Sequence, residues 1–307
     1  MTKDNTLYKA IVIGGGIAAL EFLYKQKLRG DILWIHDEFL YGQLNHNSWV
    51  LDSDDHQVPT TEIKGSLYKQ IRAQEQTKEV VGSVFNLVYD QKDEIYLVSC
   101  TGSRTKYKGL NVIIATGRSP KRMDGFVPYL SYPALSAGTS FLEREKIVVI
   151  VGAGRTGQTA AKRLIKKADE IYLLDKRPIT KEVVDEFVAY PNVHFIESAQ
   201  YSFQFDYSKH KYKLTYETES ETNQCVEEID SLLVAIGYEP NKVGANNFPF
   251  SWIDNEQGPG ILTGPNMQVL YCPKGMFALG DVRALSGHTV AGAKEDVQIL
   301  IEKGEFR

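Results

Sequence analysis

Two stretches of this 307-residue sequence have the residue types and spacing to hold a pyrophosphate. In the first, the β-branched run Ile11-Val12-Ile13 passes directly into Gly14-Gly15-Gly16-Ile17-Ala18-Ala19, a G-x-G-x-x-A pattern. In the second, Ile147-Val148-Val149-Ile150-Val151 passes into Gly152-Ala153-Gly154-Arg155-Thr156-Gly157, a full G-x-G-x-x-G. Each reads as strand, tight turn and helix N-terminus. The first glycine (Gly14, Gly152) lets the chain turn. The second (Gly16, Gly154) lets a phosphate approach the backbone, and the small third residue (Ala19, Gly157) lets helix and strand pack closely. Unpaired N–H groups of the first helical turn then face the phosphates. Each copy continues into a second apolar run ending in an acid, Ile32-Leu33-Trp34-Ile35-His36-Asp37 and Ile171-Tyr172-Leu173-Leu174-Asp175. The interval from first glycine to acid is the same in both. An acid at the tip of a second strand can accept hydrogen bonds from an adenosine ribose, so the chain is expected to bind two dinucleotides.

The elements that position these residues repeat in the same order. After Asp37 a loop runs through Gly42-Gln43-Leu44, and helical spacing follows over Thr61 to Gln76, with Ile63, Leu67 and Ile71 on one face. The period then falls to two. Strands are expected at Val84–Tyr89, Ile95–Cys100 and Lys106–Lys108, and a buried strand at Leu110–Gly117, which contains Ala115-Thr116-Gly117. The second half expects helices at Gln158–Lys167 and Thr180–Ala189. Strands follow at Val193–Ile196, Tyr201–Phe205 and Lys211–Tyr216, then a buried run Ser231–Gly237. A third segment, Gly275–Asp281, reads as a short strand ending in Gly280-Asp281. A helix follows over Thr289 to Lys303, with Val290, Ala293, Val297, Leu300 and Ile301 on one face. Asp281 could accept from a ligand hydroxyl, and the positive end of that helix could face developing negative charge.

Composition narrows the class. The chain is 43% apolar and 24% charged, with a net charge of −4 and no basic run, which points away from a nucleic-acid-tracking surface. No apolar run approaches membrane-spanning length. The polar N-terminus is followed by too short an apolar run for a signal sequence, and a cytoplasmic protein is expected. Cys100, Cys225 and Cys272 are widely separated and form neither a metal spacing nor a disulfide framework.

Taken together, Gly14-Gly15-Gly16, Gly42-Gln43-Leu44, Ile114-Ala115-Thr116-Gly117, Gly152-Ala153-Gly154, Val234-Ala235-Ile236-Gly237 and Gly280-Asp281-Val282-Arg283 resemble the low-molecular-weight thioredoxin reductase family of flavoproteins. The resemblance spans nearly the whole chain. It implies an α/β protein of two Rossmann-like dinucleotide-binding domains of the three-layer ββα type, the second inserted into the first. An FAD-binding domain would comprise 1–117 and 241–307, and an NAD(P)-binding domain 118–240. Carried over by position, Gly14, Gly16, Ala19 and Asp37 would bind the FAD adenosine and pyrophosphate. Gln43 and Leu44 would lie beside the flavin, with Ala115, Thr116 and Gly117 closing the same cofactor groove. Gly280 and Asp281 would hold the ribityl chain, and His288, Thr289 and Val290 would lie near the pyrimidine edge of the ring. His288 has two readings, a helix-start residue or a group that stabilises negative charge on the reduced flavin. Gly152, Gly154 and Gly157 would hold the nicotinamide dinucleotide, with Asp175 and Arg177 at its adenosine ribose. The resemblance also implies a homodimer.

Two departures bear on function. Where that family places a redox Cys-x-x-Cys pair, this chain has Leu135-Ser136-Ala137-Gly138, which can form no dithiol relay. Where the family reads a 2′-phosphate with His-Arg-Arg, this chain has Asp175-Lys176-Arg177. An acid there favours the ribose diol and hence NADH, although Arg177 leaves NADPH open. The expected activity is hydride transfer from NADH to FAD and onward to an external acceptor. That acceptor is either a ferredoxin-like carrier, as in thioredoxin-reductase-like ferredoxin reductases, or a disulfide protein, as in bacilliredoxin-reductase-like enzymes. The alternative from another class is an FAD-binding sensor with a vestigial nicotinamide site.

Overall fold

The structure is a computed structural model that describes residues 6–37, 49–51, 57–123, 127–131, 146–218, 222–243, 252–253, 259–284 and 289–307. The chain divides into two compact units, one of Met1–Ser119 with Glu239–Arg307, the other of Pro120–Tyr238. Among the described residues, no helix is long and apolar enough to cross a membrane.

The first unit is built on a seven-stranded sheet. Thr77–Val81, Ile32–His36, Leu7–Ile13 and Tyr107–Ile114 run parallel in that spatial order. Side chains alternate across this sheet with period two. Ile11, Ile13, Leu33, Ile35, Val112 and Ile114 pack against Leu87, Tyr96 and Val98 of the antiparallel strands. Their neighbours Ala10, Val12, Ile32, Trp34 and Ile113 pack against helices, through Leu20, Leu23, Ile71, Val297 and Leu300. Each such fully buried side chain contributes about 1.5–3 kcal/mol relative to exposure. The result is three layers: antiparallel strands, parallel sheet, helices.

The second unit repeats the plan. Its five-stranded parallel sheet has the order Leu130–Ser131, Ser231–Val234, Ile147–Val151, Glu170–Asp175, Val193–Glu197. Val148, Ile150, Ile171 and Leu173 face the helices through Ala160, Leu164 and Phe187. Val149, Val151 and Leu174 face the antiparallel strands Tyr201–Asp206, Lys211–Tyr216 and Gln224–Ile229, through Tyr212, Leu214 and Ile229.

Three local expectations change. The runs Lys106–Lys108 and Leu110–Gly117 are one strand, Tyr107–Ile114. Gly109 joins them, because a Cβ there would lie 2.7 Å from Cγ1 of Ile11 on the neighbouring strand. The first half of that strand pairs antiparallel with Ile95–Cys100 and the second half parallel with Met276–Ala278. The helix expected at Gln158–Lys167 spans Arg155–Leu164 instead, since Gly154 itself is the N-cap. The strand Gln224–Ile229 was not expected. Its exposed Glu227 and Glu228 and the left-handed Glu228 (φ 55) obscure the period, beside a register shift between Tyr212 and Leu214.

Candidate functional site

In the second unit the strand Ile147–Val151 ends at Gly152, whose φ is +105. A Cβ there would lie 2.5 Å from the Ala235 carbonyl oxygen, and one on Gly157 would lie 1.8 Å from the Gly152 carbonyl oxygen. Packing alone therefore requires glycine at both positions. Gly154 differs. Its φ is −69, which any residue adopts, and a Cβ would meet nothing within 4 Å. The fold does not require glycine there, whereas a phosphate approaching the backbone does. The helix Arg155–Leu164 starts at Gly154 with no side chain capping it, so first-turn N–H groups remain for an anion.

Asp175 stands beside this turn. Its Oδ2 accepts from the Ala153 amide at 2.9 Å and its Oδ1 from the Arg177 amide at 3.0 Å. The Arg177 guanidinium lies 3.6 Å from Oδ1, on a side chain that is 83% exposed and free to swing. Gly154, Asp175, Arg177, Pro178, Thr180 and Val183 line a cavity of about 320 Å³. The carboxylate keeps lone pairs for ribose hydroxyls while both oxygens are already fixed in place. Glycine turn, acid and cavity thus come together as a dinucleotide would need them. A larger cavity of about 580 Å³ in the first unit is lined by Gln26, Arg29, Gly30 and Gln74, at the end of that unit's sheet where Ile32–His36 begins, whereas Gly14 lies where Leu7–Ile13 ends.

The first unit has the same turn. Gly14 has φ +127 and a Cβ there would lie 2.2 Å from the Ala115 carbonyl oxygen. Gly16 again has ordinary φ (−80) and no atom near a Cβ, and it starts the helix Ile17–Lys25 without a side-chain cap. Ala19 is fully buried. Ala115 donates to the Ile13 carbonyl at 2.8 Å, Thr116 Oγ1 donates to the Asn241 carbonyl at 2.8 Å, and Gly117 adopts φ +66. Asn241 returns a bond from Nδ2 to the Thr116 carbonyl, also at 2.8 Å.

Equal spacing does not give the two acids equal positions. Ile13 pairs with Ile35 in the first unit, and Val151 pairs with Leu174 in the second. The counterpart of Asp175 is therefore His36, with Asp37 one residue further on, because the helix after the glycine turn has nine residues in the first copy (Ile17–Lys25) and ten in the second (Arg155–Leu164). His36 is buried. Its Nε2 meets Glu79 Oε1 at 2.9 Å and its Nδ1 the Asp37 carbonyl at 2.5 Å. Both ring nitrogens thus face oxygen atoms. Arg72 also donates to Glu79, at 2.9 Å. Despite a burial cost, the bonds from His36 and Arg72 hold the Glu79 carboxyl below its ordinary value. Asp37 itself is exposed beside this buried network.

Gly280 and Asp281 form a short 3-10 turn, Gly280–Val282, after the strand Met276–Ala278. Arg118 Nε donates to the Asp281 carbonyl at 2.8 Å and its Nη2 to the Pro259 carbonyl at 2.6 Å. The Gly280 amide donates to Asp296 Oδ2 at 2.8 Å, and Asp296 Oδ1 pairs with Arg283. Burial pushes the Asp296 carboxyl above its ordinary value in spite of those two partners. Thr289 is the N-cap of the helix Val290–Lys303, its Oγ1 accepting from the Gly292 amide at 3.0 Å. Arg118, Asn241 and Asp296 were not singled out from sequence. Asp296 alone left a signal, a charge on the face defined by Ala293, Val297 and Leu300. Gln43, Leu44, His288 and the Leu135–Gly138 stretch lie outside the described residues.

The comparisons agree with this architecture. A model of the pyridine nucleotide-disulphide oxidoreductase family matches residues 8–297. No curated protein matches the sequence. Among solved structures, the thioredoxin reductase of Lactococcus lactis aligns over 97% of both chains with a TM-score of 0.74 at 16% identity. That of T. acidophilum aligns over 97% of both, at TM-score 0.73 and 16% identity. A bacillithiol disulfide reductase from Staphylococcus aureus covers 97% of this chain and 98% of its own, at TM-score 0.71 and 15% identity. At these identities the likeness is one of fold.

Proposed function

The chain belongs to the pyridine nucleotide-disulphide oxidoreductase family, and from that premise we propose that it takes hydride from NADH and passes electrons to an external acceptor without a dithiol of its own. Family membership makes it a flavin-dependent oxidoreductase that uses a nicotinamide dinucleotide. We assign FAD to the unit carrying Gly14, Gly16, Ala19, Asp37, Ala115, Thr116, Gly117, Gly280 and Asp281. The nicotinamide dinucleotide goes to the unit carrying Gly152, Gly154, Gly157, Asp175 and Arg177. Bound FAD would supply acceptance of a hydride and release of its electrons. The chain's own residues bind and orient. The uncapped first turns after Gly16 and Gly154 offer N–H groups and a positive helix end to phosphates. Asp37 and Asp281 offer carboxylates to sugar hydroxyls.

The observation that carries the NADH reading is the Asp175 carboxylate, fixed by the Ala153 and Arg177 amides in the cavity beside Gly154. A 2′-phosphate entering there would meet a fixed negative charge. The absence of Cys-x-x-Cys from the sequence leaves electrons to pass directly from the flavin to the acceptor. A disulfide acceptor is favoured by the family and by the fold likeness to a bacillithiol disulfide reductase. A ferredoxin-like carrier is the second reading. We also propose a homodimer, on family grounds. Steady NADH oxidation with a disulfide substrate, compared with ferredoxin, separates the acceptors. Failure of NADH to reduce bound flavin would leave the sensor reading.

A further inference from the structure

Asp296 and Arg283 form a buried ion pair, with only 6% and 8% of each residue exposed. A buried pair of this kind is a weak source of stability compared with apolar packing of the same volume. Its second contact is more informative. While Oδ1 pairs with Arg283, Oδ2 accepts from the Gly280 amide at 2.8 Å. Gly280 adopts φ +67, and a Cβ there would lie 2.9 Å from Cβ of Ala18. Ala18 belongs to the first turn of the helix that starts at Gly16. Asp296 therefore pulls the Gly280–Asp281 turn down between that first helical turn and its own helix. From the other side Arg118 holds the Asp281 carbonyl and is itself tied to the Pro259 carbonyl. The turn is thus held at the Gly280 amide, one peptide before Asp281, and at the Asp281 carbonyl itself.

We propose that Asp296 is a positioning residue for FAD, acting through the Gly280 amide to set the direction of Asp281. The inference rests on the assignment of FAD to this turn. Without an acceptor at 296 the Gly280 N–H is buried and unpaired, the turn rotates to find another partner, and Asp281 leaves its place at the cofactor's hydroxyls. What matters for the cofactor is then the acceptor oxygen at 296. The charge opposite Arg283 matters only for stability.

The test titrates flavin-stripped protein with FAD, followed by quenching of FAD fluorescence, alongside thermal unfolding of the same apoproteins. Four proteins are compared: the parent, Asp296→Asn, Asp296→Ala, and Asp296→Leu combined with Arg283→Leu. Asp296→Asn keeps one oxygen, for which the Gly280 amide and Arg283 compete, so it should bind FAD more tightly than Asp296→Ala although the lost ion pair lowers its unfolding temperature. Asp296→Ala should bind FAD about tenfold or more weakly. The double variant fills the site with apolar groups and should regain unfolding temperature while binding FAD as poorly as Asp296→Ala. Where Asp296→Ala does not fold, the asparagine and double variants carry the comparison. Affinity that follows unfolding temperature across the set, or parental affinity in the double variant, overturns the inference while leaving the flavin assignment standing. A parent that takes up no FAD overturns the assignment and the inference together.

Discussion

The Ala153 amide donates to the Asp175 carboxylate at 2.9 Å, tying the acid at the strand tip to the turn that is proposed to hold a pyrophosphate. A 2′-phosphate about 4 Å from that carboxylate would be repelled by about 4 kcal/mol at an effective dielectric near 20. Arg177 can turn toward the phosphate and offset much of this, leaving about 1–3 kcal/mol, or about five- to a hundredfold in affinity. Asp175→Asn keeps an oxygen for the Ala153 amide and removes the charge. It should narrow the NADH preference, chiefly by improving NADPH binding. The check is the flavin reduction rate against concentration of each nucleotide, for parent and variant. A parent that prefers NADPH would show that Arg177 outweighs Asp175.

The glycines of the second turn should separate fold from ligand. At Gly154, φ −69 and open space mean that Gly154→Ala leaves the apoprotein within about 1 kcal/mol of the parent, the lower N-cap preference of alanine offsetting its smaller unfolded-state entropy. The added methyl occupies the ground of the pyrophosphate, so NADH affinity should fall about tenfold or more. Gly152→Ala, at φ +105 and with a Cβ 2.5 Å from the Ala235 carbonyl oxygen, should destabilise the fold itself by about 1–3 kcal/mol. Thermal unfolding and nucleotide titration of both variants decide. Unchanged NADH affinity in Gly154→Ala would remove the turn from the binding site.

The purified protein should be yellow and carry about one FAD per chain. Asp281→Ala should weaken FAD binding by roughly 1.5–3 kcal/mol, the usual loss for a hydrogen bond to a charged group. Absorbance of protein before and after dialysis measures this. A colourless protein that refuses added FAD would contradict the assignment.

Much of this was legible in the sequence because the signals are local. A β-branched run ending in Gly14 or Gly152 specifies strand, turn and helix within a few residues. The alternation in Tyr201–Phe205 specifies a half-buried strand. What was not legible depends on partners far along the chain. Arg118–Pro120 and Tyr238–Pro240 form a ribbon whose pairing no local pattern announces. Asn241 matters only because it lies against Thr116. The equal spacing of Asp37 and Asp175 hides a difference in register for a related reason: register is set by where the second strand docks on the first, and His36 docks where Asp175 does.

Electron transfer should need no cysteine. Cys100 is fully buried, and burial pushes its thiol up. Cys272 is half-buried and its thiol is pushed up to about 11. Both are protonated at neutral pH and so are poor nucleophiles. A variant with Cys100→Ala, Cys225→Ser and Cys272→Ser should, once reduced by NADH, have its flavin reoxidised by a disulfide or ferredoxin acceptor at the parental rate. Alkylation of the parent should label exposed Cys225 first, while labelling of Cys272 should rise about tenfold per pH unit until pH approaches 11. Collapse of flavin reoxidation by the acceptor in the triple variant, with NADH still reducing the bound FAD, would reveal a thiol relay.

The central claim is that electrons enter this chain as hydride from a nicotinamide dinucleotide and arrive on FAD. Its most direct measurement is an anaerobic titration of the FAD-loaded protein with NADH, followed by the flavin's visible absorbance. The absorbance should bleach in proportion to added NADH and be complete at about one equivalent per flavin. Full visible absorbance after excess NADH and excess NADPH would contradict the claim.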